Sequence, residues 1–271
     1  MRIVTFNING IRARFHQLEA ITANLKPDII ALQETKVADP DFPKDMLTNL
    51  GYHAYYYGQK GHYGVALGSK QPAIKLNLGL PGDPSDAQRR LLQAQFMTFT
   101  NEPLTVIGAY FPQGGNRSHP TKFPHKYEFY TQLTQYLSDN FQPHNNVIVM
   151  GDMNVAPLDL DVGIGEHNAK RWLKTGACGF LPEERAWLSK LMAWGLQDTF
   201  RLMHPKPSDR FSWFDYRSRG FEDDPKRGLR LDLILATDPL VKRCTGAGID
   251  YNIRSMDKPS DHCPVWVDID I

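Results

Sequence analysis

The segment NNVIVMGDMNVAP ends an apolar run at Gly151 and follows it with Asp152 and Asn154. Side chains two apart in an extended chain share a face, so a carboxylate and an amide are presented together. That pair supplies hard oxygen ligands for Mg²⁺ or Mn²⁺ and N–H donors for a phosphate or a water. The competing reading is an Asx-rich turn capping a strand. IIALQETK offers a second acid at a strand end, Glu34 after Gln33, with Lys36 just beyond. A solvated loop acid is the alternative there.

KPSDHCPVWVDI sets Asp261 and His262 side by side ahead of a third apolar run. Aspartate is a hard ligand and histidine carries protons near neutral pH. Asp232 lies inside the apolar run GLRLDLILAT, where an ionised carboxylate needs a partner. A histidine on a neighbouring strand would serve, and would itself be oriented as a general base. Arg227 and Arg230 are the rival partners. Tyr110 ends LTVIGAY and leads into the turn Phe111–Pro112–Gln113–Gly114, where a phenol can reach a phosphate oxygen.

Positive charge is local. Arg117, Lys122 and Lys126 fall between Gln113 and Lys126 without an acid, and DRFSWFDYRSRG interleaves Arg210, Arg217 and Arg219 with Phe211, Trp213, Phe214 and Tyr216. Arginines grip phosphates and aromatics stack beside bases, so these stretches suit DNA. Arg89 and Arg90 are a further candidate phosphate contact. No GxxxxGK[ST] loop, HExxH helix or GxSxG elbow competes.

The elements that must carry these groups are short strands at Ile3–Phe6, Ile29–Leu32, Gly64–Leu67, Leu104–Tyr110, Asn146–Met150, Leu231–Ala236 and Val265–Ile269, each bounded by Gly, Pro, Asn or Asp. Helical spacing lies between them at Arg14–Asn24, Lys126–Asn140 and Pro182–Met192. The mixture is that of a single α/β domain over residues 1–271, with sheets inside and helices outside. Asn7–Ile8–Asn9 echoes Asp152–Met153–Asn154, as two similar halves meeting at one cleft would. A formal net charge of +1 excludes a generally basic chain. Three widely spaced cysteines, without CxxC, argue against a disulfide framework or a zinc site and suit a reducing cytoplasm. No signal peptide or membrane-spanning run is visible, and no amphipathic zipper advertises an oligomer, so a cytoplasmic monomer without membrane attachment is expected.

With these residues identified, the chain resembles the DNA-repair nucleases of the endonuclease/exonuclease/phosphatase superfamily. The likeness runs through FNINGIRAR, LQETKV, GQKGHYGVAL, YFPQG, HPxKFP, MGDMN, LDxGIGE, RFSWFDYRS, RGLRxDLILA and IRSMxKPSDHxPVW. It implies a four-layered α/β sandwich, two mostly antiparallel sheets face to face with helices outside. It also implies Mg²⁺, with Mn²⁺ as a substitute, held mainly by Glu34, with Asn7 and Asp261 as metal-site positions and Asp152, Asn154 and His262 as further groups facing one metal or two. Asp152 and Asn154 would handle the attacking water, Asp232 would orient His262, and Tyr110 would touch the phosphate. Trp213 and Phe214 would lie near an abasic sugar, with Arg90, Gln113, Lys122 and Arg217 on the DNA.

The implied activity is cleavage 5′ to abasic sites in double-stranded DNA, with 3′→5′ exonuclease and 3′-phosphatase or 3′-phosphodiesterase activity at 3′ ends. A superfamily phosphatase or lipid phosphodiesterase on a non-DNA substrate is the alternative, and a non-catalytic DNA-binding module is a more distant one. Whether Asp152 or His262 is the base stays open at this point. The chain departs from the pattern around Asn101–Pro103, at Gly115–Asn116 and Cys263, and in EDDPKRG (222–228), which borders the aromatic DNA loop.

Overall fold

The computed structural model describes residues 1–206 and 210–271; Asp209, the first residue of DRFSWFDYRSRG, lies outside the described residues. The chain runs β1 (Arg2–Asn7), α1 (Phe15–Asn24), β2 (Ile29–Gln33), α2 (Lys44–Thr48), β3 (His53–Tyr57), β4 (Val65–Ser69), β5 (Lys75–Leu78), β6 (Leu91–Met97) and β7 (Pro103–Tyr110). It continues through α3 (Lys122–Asn140), β8 (Val147–Asp152), α4 (Glu166–Thr175), α5 (Pro182–Ala193), β9 (Leu196–Asp198) and α6 (Thr199–Met203). It closes with β10 (Asp232–Thr237), α7 (Asp238–Val241), β11 (Cys244–Ile249), α8 (Tyr251–Arg254) and β12 (Val265–Ile269).

Strand parity builds the layers. Ile3, Ile29, Ala31, Ile148, Met150, Ile234, Val265 and Val267 share one buried cluster between the two sheets. One residue along, Val4, Phe6, Ile30 and Leu32 face outward beneath Leu18 and Ile21 of α1. On the other sheet Val147, Val149, Leu233 and Leu235 face outward beneath α3 and α5. The strands are therefore apolar on both faces, as strands covered on both sides must be. Each fully buried Leu or Ile contributes roughly 1.5–3 kcal/mol, so these layers can tolerate a costly polar end. The result is the expected four-layered sandwich.

The sheets have orders β11-β12-β1-β2-β4-β3 and β5-β6-β7-β8-β10-β9. Each contains one parallel pair, β1 with β2 and β7 with β8, and its other pairings are antiparallel. Helices α1 and α3 make the two parallel crossovers. By connectivity β1–α1–β2 therefore corresponds to β7–α3–β8. This corrects the pairing drawn from the sequence echo. The counterpart of the Asn7 strand end is that of Tyr110, and the counterpart of Asp152 is the Gln33–Glu34 end. The two halves do share one cleft, but Asn7 and Asp152 occupy non-equivalent strands within it.

The expected strands are present with ends moved by a residue or two. Helix α3 begins at Lys122, earlier than its spacing suggests, because Pro124 falls in the first turn, where no partner for its missing N–H is needed. Strands β3, β5, β6, β9 and β11 carry weaker sequence signals. In β11, Gly248 replaces an apolar side chain because a Cβ there would lie 2.6 Å from the Trp266 ring. In β6, LLQAQFM lacks β-branched residues and suits a helix equally well.

Candidate active site

The polar groups cluster because they share the inward parity of the apolar layer. Asn7 follows Ile3 and Thr5 on β1, Gln33 follows Ile29 and Ala31 on β2, and Asp152 follows Ile148 and Met150 on β8. Asp232 opens β10, antiparallel to β8 and directly opposite Asp152 in register. Tyr110 ends β7, also opposite Asp152. The same end of the sandwich thus receives five polar side chains from five strands. Deeper in, Gln33 Nε2 donates to Thr5 Oγ1 at 3.0 Å and closes the polar layer against the apolar one. Gly151 permits the close approach: its φ is +146°, and a Cβ would lie 1.8 Å from Ala109 O.

Asn7 is the bridge at the centre. Its Nδ2 donates to Glu34 Oε1 at 3.0 Å and to Asp152 Oδ2 at 3.0 Å. Asn154 donates its backbone N–H to Asp152 Oδ1 at 2.9 Å and its side-chain amide to Phe111 O at 2.9 Å. His262 Nδ1 meets Asp232 Oδ2 at 2.8 Å, and its Nε2 faces Asp152 Oδ2 at 3.7 Å. The histidine, not Arg227 or Arg230, is therefore the partner of Asp232. Arg230 is bound to Asp161 and Asp198, and Arg227 to Asp223. Glu34 and Asn154 have φ of +52° and +53°, an uncommon region for such residues and a form of strain found at functional sites.

Asp261 is held on both oxygens, by Asn9 Nδ2 at 2.9 Å and Trp213 Nε1 at 3.0 Å. Lys36 sits 3.0 Å from Glu34 Oε2 and donates to Asn9 Oδ1. Ser260 donates its hydroxyl to Asn7 O at 2.7 Å and accepts from His262 N at 3.2 Å, tying the two segments together. Asn9 and Ser260 had no assigned role from sequence. Asn9 was visible only in the NxN echo, and nothing local marked Ser260.

Burial pushes the Asp152 carboxyl up to about 7, opposed by His262 and reinforced by Asp232 and Glu34. Burial acts to lower His262, but the facing Asp232 and Asp152 outweigh it and raise the imidazole to about 10. Burial acts to raise Glu34 and Asp261 too. Here the Asn7 donor and Lys36 hold Glu34 below its ordinary value, and His262 with the Asn9 and Trp213 donors does the same for Asp261. Raised groups bind protons more tightly folded than unfolded, so both Asp152 and His262 make stability fall as pH rises. For Asp152 the window runs from an unfolded value near ~4 to about 7. Urea melts in EDTA should therefore show an Asp152→Asn advantage that grows across this window and levels off above it. A constant difference would remove the shift.

A cleft of about 190 Å³ opens over this cluster, lined by Glu34, Tyr110, Gln113, Asp152, Asn154, Asp261 and His262, with Trp172, Trp213 and Leu229 as apolar walls. Trp172, stacked on Phe180 with centroids 5.7 Å apart, carried no sequence signal for this place. A larger hollow of about 510 Å³ lies on the outer face of β5–β6 and α3, with Glu102 as its one acid. It offers no comparable set of acids and lies outside this cluster.

Gln113, Lys122 and Arg217 are exposed. Arg90 is only 7% exposed, its guanidinium stacked on Tyr63 and Tyr110 at 4.3 and 4.7 Å and donating to Tyr110 O at 3.0 Å. It braces Tyr110 more than it faces outward. Phe214 corrects an expectation. Its ring is 0% exposed and packs edge-on against Phe211, Phe221 and Tyr251, because the backbone alternation that turns Trp213 to the cleft turns its neighbour to the core. Phe214→Ala should accordingly cost ~3–5 kcal/mol in denaturant melts; a loss of DNA binding at unchanged stability would contradict the core placement. Lys126 is likewise not free for DNA, being buried with Glu184, whereas Arg117 is exposed in a surface pair with Glu183. The 222–228 segment folds back beside the cleft, Gly163 N donating to Gly228 O at 2.8 Å and Leu229 N to Trp213 O at 3.0 Å.

The donor set fits a hard divalent cation. The Glu34 and Asp152 carboxylates converge on the Asn7 amide, whose own Oδ1 accepts from Asn9 N, and the buried Asp232 Oδ1 has no hydrogen-bond partner. Asp152, Asp232 and His262 also bring one potential ligand atom each within 4.8 Å of one another. No helix among the described residues is long and apolar enough to cross a membrane.

Comparison with known proteins covers the whole chain. The Exodeoxyribonuclease III of Haemophilus influenzae is 54% identical over 268 residues, covering 99% of each chain. The structure of an AP endonuclease from Archaeoglobus fulgidus superposes with a TM-score of 0.90 at 34% identity, covering both chains fully. A 3′-5′ exonuclease from Neisseria meningitidis does so with a TM-score of 0.89 at 32% identity, again over both whole chains. The Endonuclease/Exonuclease/phosphatase family matches residues 4–262, and the chain belongs to it.

Proposed function

We propose that this protein is a Mg²⁺-dependent DNA-repair phosphodiesterase, acting as a cytoplasmic monomer, that cleaves duplex DNA 5′ to abasic sites and trims or dephosphorylates 3′ ends. The observation that carries the reading is the position of Asp152, between the Asp232–His262 pair and the Asn7–Glu34 pair, in a cleft walled by tryptophans. Relatives named exodeoxyribonuclease III, AP endonuclease and 3′ phosphatase, the last bound to a product DNA hairpin, support DNA as the substrate.

Glu34, with Asn7 and Asp152, would hold the cation, which when bound supplies positive charge to the phosphate and the leaving oxygen. Asp152 takes a proton from water; burial has brought it to a value suited to a base near neutral pH. Asp232 and Asp152 raise His262 to about 10, which favours its protonated form there. It therefore donates from Nε2 to a non-bridging phosphate oxygen, while Asp232 fixes the ring through Nδ1. In this proposal Asp152 is the base. Asn154 orients Asp152 through its backbone N–H, and Tyr110, braced by Arg90, offers its hydroxyl to the phosphate. Tyr110 keeps its proton throughout, since burial and then Glu34 and Asp152 hold it well above its ordinary value.

Selectivity needs no base-reading code. A sugar without a base leaves the stack cheaply, and Trp172 and Trp213 give the cleft apolar walls for it to rest against. Trp213→Ala should slow abasic nicking about tenfold or more, from the ~1–3 kcal/mol an aromatic wall supplies. Mg²⁺ affinity should fall far less, through the Asp261 oxygen that Trp213 Nε1 now holds. Equal nicking rates in variant and parent would end that role. The function itself is tested on a labelled duplex with a central abasic analogue, with Mg²⁺ or EDTA. No Mg²⁺-dependent nick at the abasic position would sink the reading.

A further inference from the structure

Beneath the cleft lies a charged pair that takes no part in the chemistry above. Lys126 and Glu184 are both 0% exposed. Burying two charges is costly, and such a pair is weak evidence for stability, so its role must lie in what it holds. Lys126 Nζ donates to Asn154 O at 2.8 Å, to Gln113 O at 3.3 Å and to Glu184 Oε1 at 2.5 Å. Glu184 Oε2 accepts from Gly179 N and Leu181 N, each at 2.8 Å. One turn further along α3, Tyr130 donates its hydroxyl to Met153 O at 2.7 Å. Residues four apart on a helix share a face, so one face of α3 holds two consecutive carbonyls of the turn that follows Asp152.

We propose that Lys126 is a positioning residue for the reaction. With Glu184 as its counter-ion, it locks the Asn154 turn, the Gln113 loop and the 179–181 cleft wall into one geometry. The turn needs the support: Asn154 sits at φ +53°, and its N–H is the donor that orients Asp152. Tyr130 on Met153 O holds the peptide whose N–H faces Asp152, and Lys126 on Asn154 O holds the next one, so α3 fixes Asn154 from both sides. The same cation reaches the loop that carries Gln113 into the cleft, so its removal loosens two walls together.

The proposal rests on the nuclease reading for its rate measurement but not for its structural one. The test compares the parent with Lys126→Met/Glu184→Gln. The second change removes the unpaired charge, and its carbonyl still accepts from Gly179 and Leu181. The double variant should melt close to the parent, yet cleave an abasic duplex roughly 100-fold more slowly in kcat, the scale expected of small misplacements. Duplex affinity in EDTA should change little. Backbone amide exchange at Met153 and Asn154, bonded to Leu231 O and Asp152 in the parent, should rise at least about tenfold. Lys126→Gln/Glu184→Gln keeps a donor under Asn154 O and should recover much of both losses. A Met/Gln variant with parental kcat, or with parental exchange at these amides, overturns the proposal. So does a Gln/Gln variant no better than it. A parent inactive on abasic DNA would end the nuclease reading instead, and the exchange comparison would still decide the role of Lys126.

Discussion

Asp152→Asn is expected to lower kcat for backbone cleavage by roughly 10²–10⁴, the range for loss of a general base, with the fold intact. Asparagine matches the shape and keeps an oxygen for the Asn154 N–H, which now reaches Oδ1 at 2.9 Å. The facing Asn7 amide loses one acceptor but retains Glu34. The variant should therefore still bind duplex DNA. In the parent, kcat should rise with pH on an acid limb governed by Asp152, at about 7 before the cation binds and lower once it does. That limb should vanish from the residual rate of the variant. Residual activity that keeps both its size and its acid limb would remove Asp152 from the role of base.

His262→Asn should cost a comparable factor, about 10²–10⁴, for a different reason. Asp232 and Asp152 raise parental His262 to about 10 before the cation binds, and a bound cation lowers it, so the parent should lose rate on an alkaline limb at or below that value. In the variant the alkaline limb should disappear and the acid limb remain. The converse pattern, in which the acid limb goes and the alkaline one stays, would make histidine the base. The two limbs belong to the Asp152–His262–Asp232 group as a unit, so both variants should be profiled at the same Mg²⁺ concentration. An Asp232→Asn control should follow His262→Asn, because Nδ1 would lose the carboxylate that charges and aims the ring.

Residue types and local order determined which groups are available for chemistry. Asp152 with Asn154 and Glu34 end apolar runs, Asp232 lies inside one and the Asp261–His262 pair precedes one. That is why they could be recognised, and why the strands beneath them could be placed. Strand period carried the same message further, since Asn7, Asp152 and Asp232 keep step with the inward apolar residues of their own strands. Other features were set by contacts between distant segments. Trp172 enters the cleft because α4 packs beside it, and Lys126 is buried because Glu184 on α5 meets it. The bridge from Asn7 to Asp152 spans 145 positions, and that from Asp232 to His262 spans 30. Phe214 went to the core while adjacent Trp213 reached the cleft, a choice of face that composition alone leaves undecided. The protonation of the site also belongs to the tertiary structure, because it depends on burial and on which charges face one another. Sequence, then, determined the list of oxygen ligands and the histidine at strand ends. Only the packing of one sheet on the other decided that Asp152 stands between His262 and the Asn7–Glu34 pair, because those groups come from strands of both sheets.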